Sequence, residues 1–139
     1  MTTETLERDL TVSEVAEGAE VSISAVRFYE KHGLVSASRT SGNQRRFDRA
    51  APCRIRVARV AQRIGMTVGE IRELLALLPE GEAPQPEHWV ALYDAILDEG
   101  QRRVRILQRA MSDIMTGGKL CEVPVNDAEP TPRRVVPAR

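Results

Sequence analysis

A chain of 139 residues with 42% hydrophobic and 29% charged residues suits one folded domain, or a compact unit with an appendage, and is too apolar for wholesale disorder. No apolar run approaches the ~18 residues of a spanning helix, and the polar start Met1-Thr-Thr-Glu-Thr-Leu-Glu-Arg8 is unlike a secretory leader, so a cytoplasmic location away from membranes is expected. Cys53 and Cys121 are too few for a disulfide framework or a four-thiolate metal site. The net charge is zero, but residues 21–68 carry ten basic side chains against Glu30 and Asp48, a local +8 interleaved with apolar residues. Such a block suits a folded surface that meets a polyanion; the plainer alternative is a set of solvated helix faces.

In chain order, residues 1–9 read as a flexible N-terminus. Thr11-Val-Ser-Glu14 has the form of a capping box and opens a short helix closing near Gly18. After a turn, Ser22 is the N-cap of a second helix through Lys31, with Gly33 as its left-handed stop. Two short helices joined by such a turn have helix-turn-helix dimensions. Thr40-Ser-Gly-Asn43 suits a tight turn between two arginine-bearing arms, predicting a small β-hairpin or wing. Asp48 caps a third helix ending near Gly65, with Pro52 an irregularity in its first turns and Cys53 at a core position. Thr67-Val-Gly-Glu70, a second capping box, opens a fourth helix through Leu78.

Residues 79–86 are proline-rich and read as a linker, placing a domain boundary after residue 78. A long helix over 87–116 follows, roughly 45 Å at ~1.5 Å per residue. Its apolar stripe runs Trp89, Tyr93, Ile96, Gly100, Val104, Leu107, Met111, Ile114. A second copy in an antiparallel coiled coil would cover that seam; the alternative is a helix folded back on its own domain. Residues 117–139 read as a loop and a mobile tail. The expected fold is mainly α, a winged helix-turn-helix followed by a long dimerisation helix.

Together Val26-Arg-Phe-Tyr-Glu30, Gly33-Leu34, Ser41-Gly-Asn-Gln-Arg-Arg46, Ala61-Gln-Arg-Ile-Gly65, Leu78-Pro-Glu-Gly81 and Trp89 resemble the MerR family of transcription regulators, most nearly its SoxR branch. The resemblance covers residues 10–116. It implies a homodimer on a pseudo-palindromic element of double-stranded promoter DNA, acting on RNA polymerase indirectly by distorting the promoter spacer. Carried onto this chain, it places the second helix in the major groove, with Ser22 and Ser24 at phosphates or base edges and Arg27 reading guanine. Tyr29 would meet a phosphate, and Asn43, Gln44, Arg45 and Arg46 would grip the backbone, one of the two arginines holding the wing through a carboxylate instead. Phe28, Leu34 and Phe47 have a core alternative, favoured for Phe28 and Leu34.

The SoxR branch also implies a [2Fe–2S] cluster on four cysteines spaced Cys-x2-Cys-x-Cys-x5-Cys. With Cys121 as the second ligand, the other positions are Gly118, Val123 and Glu129, so the cluster is expected to be absent, and no other metal site is expected. Cys121 reads either as an inert remnant or as an activated thiol near Lys119. Trp89 reads either as an interface anchor or, with Tyr93 and the 117–123 loop, as the border of a pocket for a small-molecule effector. No phosphate-cradling loop or catalytic constellation suggests an enzyme. The alternative function is an anti-activator that pairs with a related regulator along the same seam.

Overall fold

The computed structural model describes residues 8–80 and 82–116. In order the elements are β1 (Arg8–Leu10), α1 (Val12–Ala19), α2 (Ile23–Lys31), β2 (Ala37–Arg39), β3 (Arg45–Asp48), α3 (Ala51–Arg63), α4 (Val68–Leu75) and α5 (Pro86–Met115). The expectations for residues 1–7 and 117–139, Cys121 and its neighbours among them, lie outside the described residues.

Local chemistry sets the helix ends. Thr11 Oγ1 accepts the Glu14 amide while Glu14 Oε1 accepts the Thr11 amide, each at 3.2 Å, and α1 is capped at its C-terminus by Glu20 in the left-handed region rather than near Gly18. Ser22 Oγ caps α2 by accepting the Ala25 amide at 3.1 Å. The stop at Gly33 has a φ of 76°, where a side chain is strained, so Gly33 does what the sequence required. At α3 the N-cap is Ala50, without a side-chain cap, rather than Asp48; Asp48 Oδ1 accepts the Ala50 amide at 2.8 Å, just outside the helix. Pro52 is no irregularity: it occupies the first turn, where an amide hydrogen has no helical partner to lose.

The second capping box closes on α4. Thr67 Oγ1 accepts the Glu70 amide at 3.2 Å and Glu70 Oε2 accepts the Thr67 amide at 2.8 Å. Because Glu70 is buried, this cap is shielded from competing water. Thr67→Ala is therefore expected to lower stability by about 1–2 kcal/mol, read as a shift of the urea midpoint. α4 ends at Leu75, a turn earlier than the sequence suggests, although Leu78 is still buried.

The wing is one arm of a three-stranded antiparallel sheet ordered β1-β3-β2. β1 pairs Arg8 with Asp48 and Leu10 with Phe47, and β2 pairs Ala37 with Phe47. Residues 8 and 9 are thus part of the domain, correcting a boundary drawn at residue 10. The core lies between the sheet and α1–α4. It is built on Val15, Val26, Phe47, Ile55 and Ile71, all fully buried, and extended by Leu92 and Ile96 from α5.

α5 carries two stripes rather than one, an inward one that is apolar at its start and charged at its end and an outward apolar one. Trp89, Leu92, Ile96, Glu99 and Arg103, spaced 3, 4, 3 and 4, face the chain's own domain: Leu92 and Ile96 are buried, Trp89 is packed on the core, and Glu99 and Arg103 are partly buried. Tyr93, Leu97, Gly100, Val104, Leu107, Met111 and Ile114, spaced 4, 3, 4, 3, 4 and 3, form the second, and its large side chains are all at least half exposed. Ile96 therefore packs into the chain's own core while also bordering an open apolar surface with Leu97, Gly100 and Val104, and Trp89 packs α5 against its own domain. The folded-back alternative holds for the stretch from Trp89 to Arg103.

Candidate nucleic-acid interface

The N-terminal turn of α2 is exposed and rich in hydroxyls. Ser22 Oγ and Ser24 Oγ lie 2.9 Å apart, and Ser22 Oγ already accepts the Ala25 amide. Whichever hydroxyl donates within the pair, one O–H hydrogen is left to point outward. With the partial positive charge of a helix N-terminus, that favours a phosphate oxygen.

Arg27 is exposed on the same helix, one turn further on. It lines an open cleft of about 350 Å3 between α2 and the wing, together with Thr11, Val12, Gln44, Arg45 and Arg46. The cleft brings the helix arginine and both wing arginines to one face.

The wing tip is held by its own side chains. Asn43 takes a positive φ of 61°, and Arg39 Nη1 donates to its carbonyl at 3.1 Å and to its Oδ1 at 3.0 Å. Gln44 Oε1 accepts from Arg46 Nη2 at 3.0 Å. The arginine that braces the wing is Arg45: its Nε donates to Glu30 Oε1 of α2 at 3.0 Å, fixing the wing against the helix. Arg46 reaches only Gln44 and the Arg45 carbonyl, so its charge meets no carboxylate among the described residues.

Two packing expectations, for Phe28 and Cys53, need correction, and the surroundings of Tyr29 constrain its expected phosphate contact. Tyr29 is 6% exposed and its hydroxyl donates to Gln62 Oε1 at 2.9 Å, at the lining of an open concavity. Burial pushes its phenol above the ordinary range, partly offset by the charge of Arg59, and keeps it a donor. A phosphate contact by Tyr29 would turn that hydrogen from Gln62 to the phosphate oxygen. Phe28, expected in the core, is 41% exposed and packs its ring on His32 at 4.4 Å between centroids. Val26 and Tyr29 fill the inward face of α2 instead, while Leu34 and Phe47 are buried. Cys53 is also exposed and not a core side chain.

The structure adds a second basic surface that the sequence reading passed over. Arg56, Arg59 and Arg63 of α3 line a concavity of about 540 Å3 with Tyr29, Gln62 and Glu20. Their spacing of three and four residues was the available signal, since it puts three guanidinium groups on one helix face. No group of His, Cys, Asp or Glu among the described residues is arranged to hold a metal ion, and none of their helices is long and apolar enough to cross a membrane.

Comparison with known proteins fits this architecture. Residues 10–78 match the family model of the MerR HTH family regulatory protein and residues 53–116 that of MerR, DNA binding. The HTH-type transcriptional activator SoxR homolog of Chromobacterium violaceum is 35% identical over 103 residues, covering 74% of this chain and 70% of that protein. The chain belongs to the MerR family. Another member, the mercuric resistance operon regulatory protein of Pseudomonas fluorescens, is 37% identical over 70 residues, so the match spans 49% of that relative. A crystal structure of a protein assigned to the MerR transcriptional regulators of Listeria monocytogenes superposes with a TM-score of 0.52 at 25% identity, covering 86% of this chain and 91% of that one. This MerR-family chain is a DNA-binding transcription regulator, and its relatives are regulators rather than enzymes.

Proposed function

We propose that the chain acts as a homodimer on a pseudo-palindromic element of double-stranded promoter DNA. It controls transcription by distorting the promoter spacer, and so reaches RNA polymerase indirectly. The observation that carries this reading is the second stripe of α5, a heptad of exposed apolar side chains on a helix whose other face is already packed on a basic winged domain. The average step of 3.5 residues is that of a left-handed coiled coil, and a symmetric pair would set two basic faces at a fixed separation.

In this reading α2 enters the major groove. Arg27, with no protein partner among the described residues, reads a guanine edge. Arg46, the outward atoms of Arg45, Gln44 and Asn43, the Ser22–Ser24 pair, and the α3 arginines hold phosphates, giving affinity and register rather than sequence choice. Arg27→Ala is expected to weaken binding to a selected operator by about 5- to 150-fold, with little change on random duplex. Arg46→Ala or Arg59→Ala should weaken both alike and reduce the slope of log affinity against log salt by about one. Filter binding over a salt series checks both; equal losses on both DNAs for Arg27→Ala would remove its base-reading role.

The regulator works without the cluster of the SoxR branch. Of the four positions that would supply thiolates, Gly118 and Val123 offer no donor, Glu129 offers a hard carboxylate, and Cys121 alone is soft. That set does not fit a [2Fe–2S] group. Protein purified without oxygen should be colourless and iron-free; a red-brown protein with stoichiometric iron and sulfide would contradict this. In this reading it answers a small-molecule effector, the chemistry of Cys121, or no signal at all.

A further inference from the structure

We infer that Arg103 is a positioning residue, a latch that fixes the angle between α5 and the DNA-binding domain and so sets how far apart a dimer can hold its two half-sites. The inference rests on the dimeric reading above.

Arg103 sits on the inward stripe of α5, its side chain 13% exposed, and all three of its nitrogens are engaged. Nε donates to Glu99 Oε1 at 2.9 Å. Nη1 donates to the carbonyls of Ile64 at 3.3 Å and Gly65 at 2.6 Å, acceptors at the end of α3. Nη2 donates to Glu70 Oε2 at 3.0 Å. A cation placed on the last carbonyls of a helix is favoured by the helix dipole, and few residues other than arginine could span three elements at once.

The surroundings are shaped to this contact. Gly65 has a φ of 88°, and a Cβ there would lie 3.1 Å from Arg103 Nη1, so both the turn and the approach of the guanidinium need glycine. Glu70 Oε2 accepts the Thr67 amide and Arg103 together, so the atom that caps α4 also ties it to α5. Glu99 is held by Arg102 as well, at 2.8 and 3.0 Å.

From this latch a short path of contacts reaches the DNA face. Gln62, two residues before Ile64, accepts the Tyr29 hydroxyl of α2 at 2.9 Å. Arg72 of α4 donates from Nε, at 2.7 Å, and from Nη2 to the His32 carbonyl at the end of α2. A tilt of α5 would thus be passed through the α3–α4 turn to the helix that carries Arg27. In a dimer the α5 pair is the common frame, so the latch angle fixes the spacing and rotation of the two α2 helices. Each base pair added between half-sites displaces one of them by about 3.4 Å and about 35°.

The test compares full-length wild type, Arg103→Gln and the double variant that combines Glu70→Gln with Arg103→Gln. The double variant removes both charges, so no buried carboxylate is left unpaired, and the side-chain carbonyl introduced by Glu70→Gln can still accept the Thr67 amide. Half-sites are first selected from random duplex DNA, and affinity is then measured on duplexes whose half-site separation changes one base pair at a time. Wild type should prefer one separation over its neighbours by about tenfold or more, and the double variant by only about twofold, with the selected half-site sequence unchanged. Arg103→Lys, which keeps the charge but cannot reach all the acceptors, should fall between them. A double variant that unfolds cooperatively and keeps the wild-type preference would overturn the latch. If the double variant does not fold, Arg103→Lys decides, and an unaltered preference there overturns it. Wild type that selects only single half-sites would instead remove the dimeric reading, and with it this role.

Discussion

Leu107→Glu should convert the protein from a dimer into a monomer. Leu107 is 63% exposed in the isolated chain and lies in the middle of the outward heptad, between Val104 and Met111. Burying a leucine from water contributes about 1.5–3 kcal/mol, and a two-fold interface repeats every residue, so the loss counts twice. Losing about 3–6 kcal/mol raises the dimer dissociation constant by roughly 10²- to 10⁴-fold. Burial of an unpaired carboxylate in each chain adds to this. Sedimentation equilibrium at micromolar concentration reads the change directly. Operator affinity should fall with it, since the two half-sites would then be bound independently. A variant that sediments as wild type would place the dimer contact elsewhere. A wild-type chain already monomeric at that concentration would favour the anti-activator reading, in which a related regulator covers the stripe.

Phe47→Ala should cost about 3–5 kcal/mol of folding stability. The side chain is fully buried, at the central strand of a three-stranded sheet whose other members are only three residues long. Its neighbours across the sheet are Leu10 on β1 and Ala37 on β2, so the cavity would open where all three strands meet. For a domain whose total stability is about 5–15 kcal/mol, this loss brings unfolding close to ambient conditions. The wing is part of the same sheet, so DNA affinity should fall at temperatures where the far-ultraviolet signal is still largely helical. Chemical denaturation of both proteins checks the magnitude, and a difference below about 1 kcal/mol would contradict the central place given to Phe47.

The sequence made the helices legible because their ends are written locally. Two capping boxes, the serine at residue 22 and Gly33 each act within four residues, and each lies where the reading put it. β1 was not legible, since Arg8-Asp-Leu10 is charged and short and becomes a strand only against β3, about forty residues away. Phe28 misled because four large residues crowd one turn at Val26-Arg-Phe-Tyr29; bulk cannot tell which aromatic turns inward, and packing selects Val26 and Tyr29. Cys53 misled for the same reason, one residue off the buried phase of Ile55 and Ala58 in α3. On α5, two heptads offset by one residue look like one stripe, so Leu92 and Leu97 were missed, and Ile96, which packs on the chain's own core, was read with the outward stripe. On the basic face, the exposed Arg27 and the wing were legible from their charge. The pairing of Arg45 with Glu30, fifteen residues apart, and the basic face of α3 required the fold.

The proposed arrangement is two chains joined along α5, each presenting α2 and a wing to the same duplex. Native mass spectrometry of the full-length protein on a duplex obtained by in vitro selection measures this directly. The predicted result is a single dominant complex of one duplex with two chains, without a populated one-chain intermediate at substoichiometric protein. A dominant complex of one chain per duplex, or no complex on any selected duplex, would contradict it.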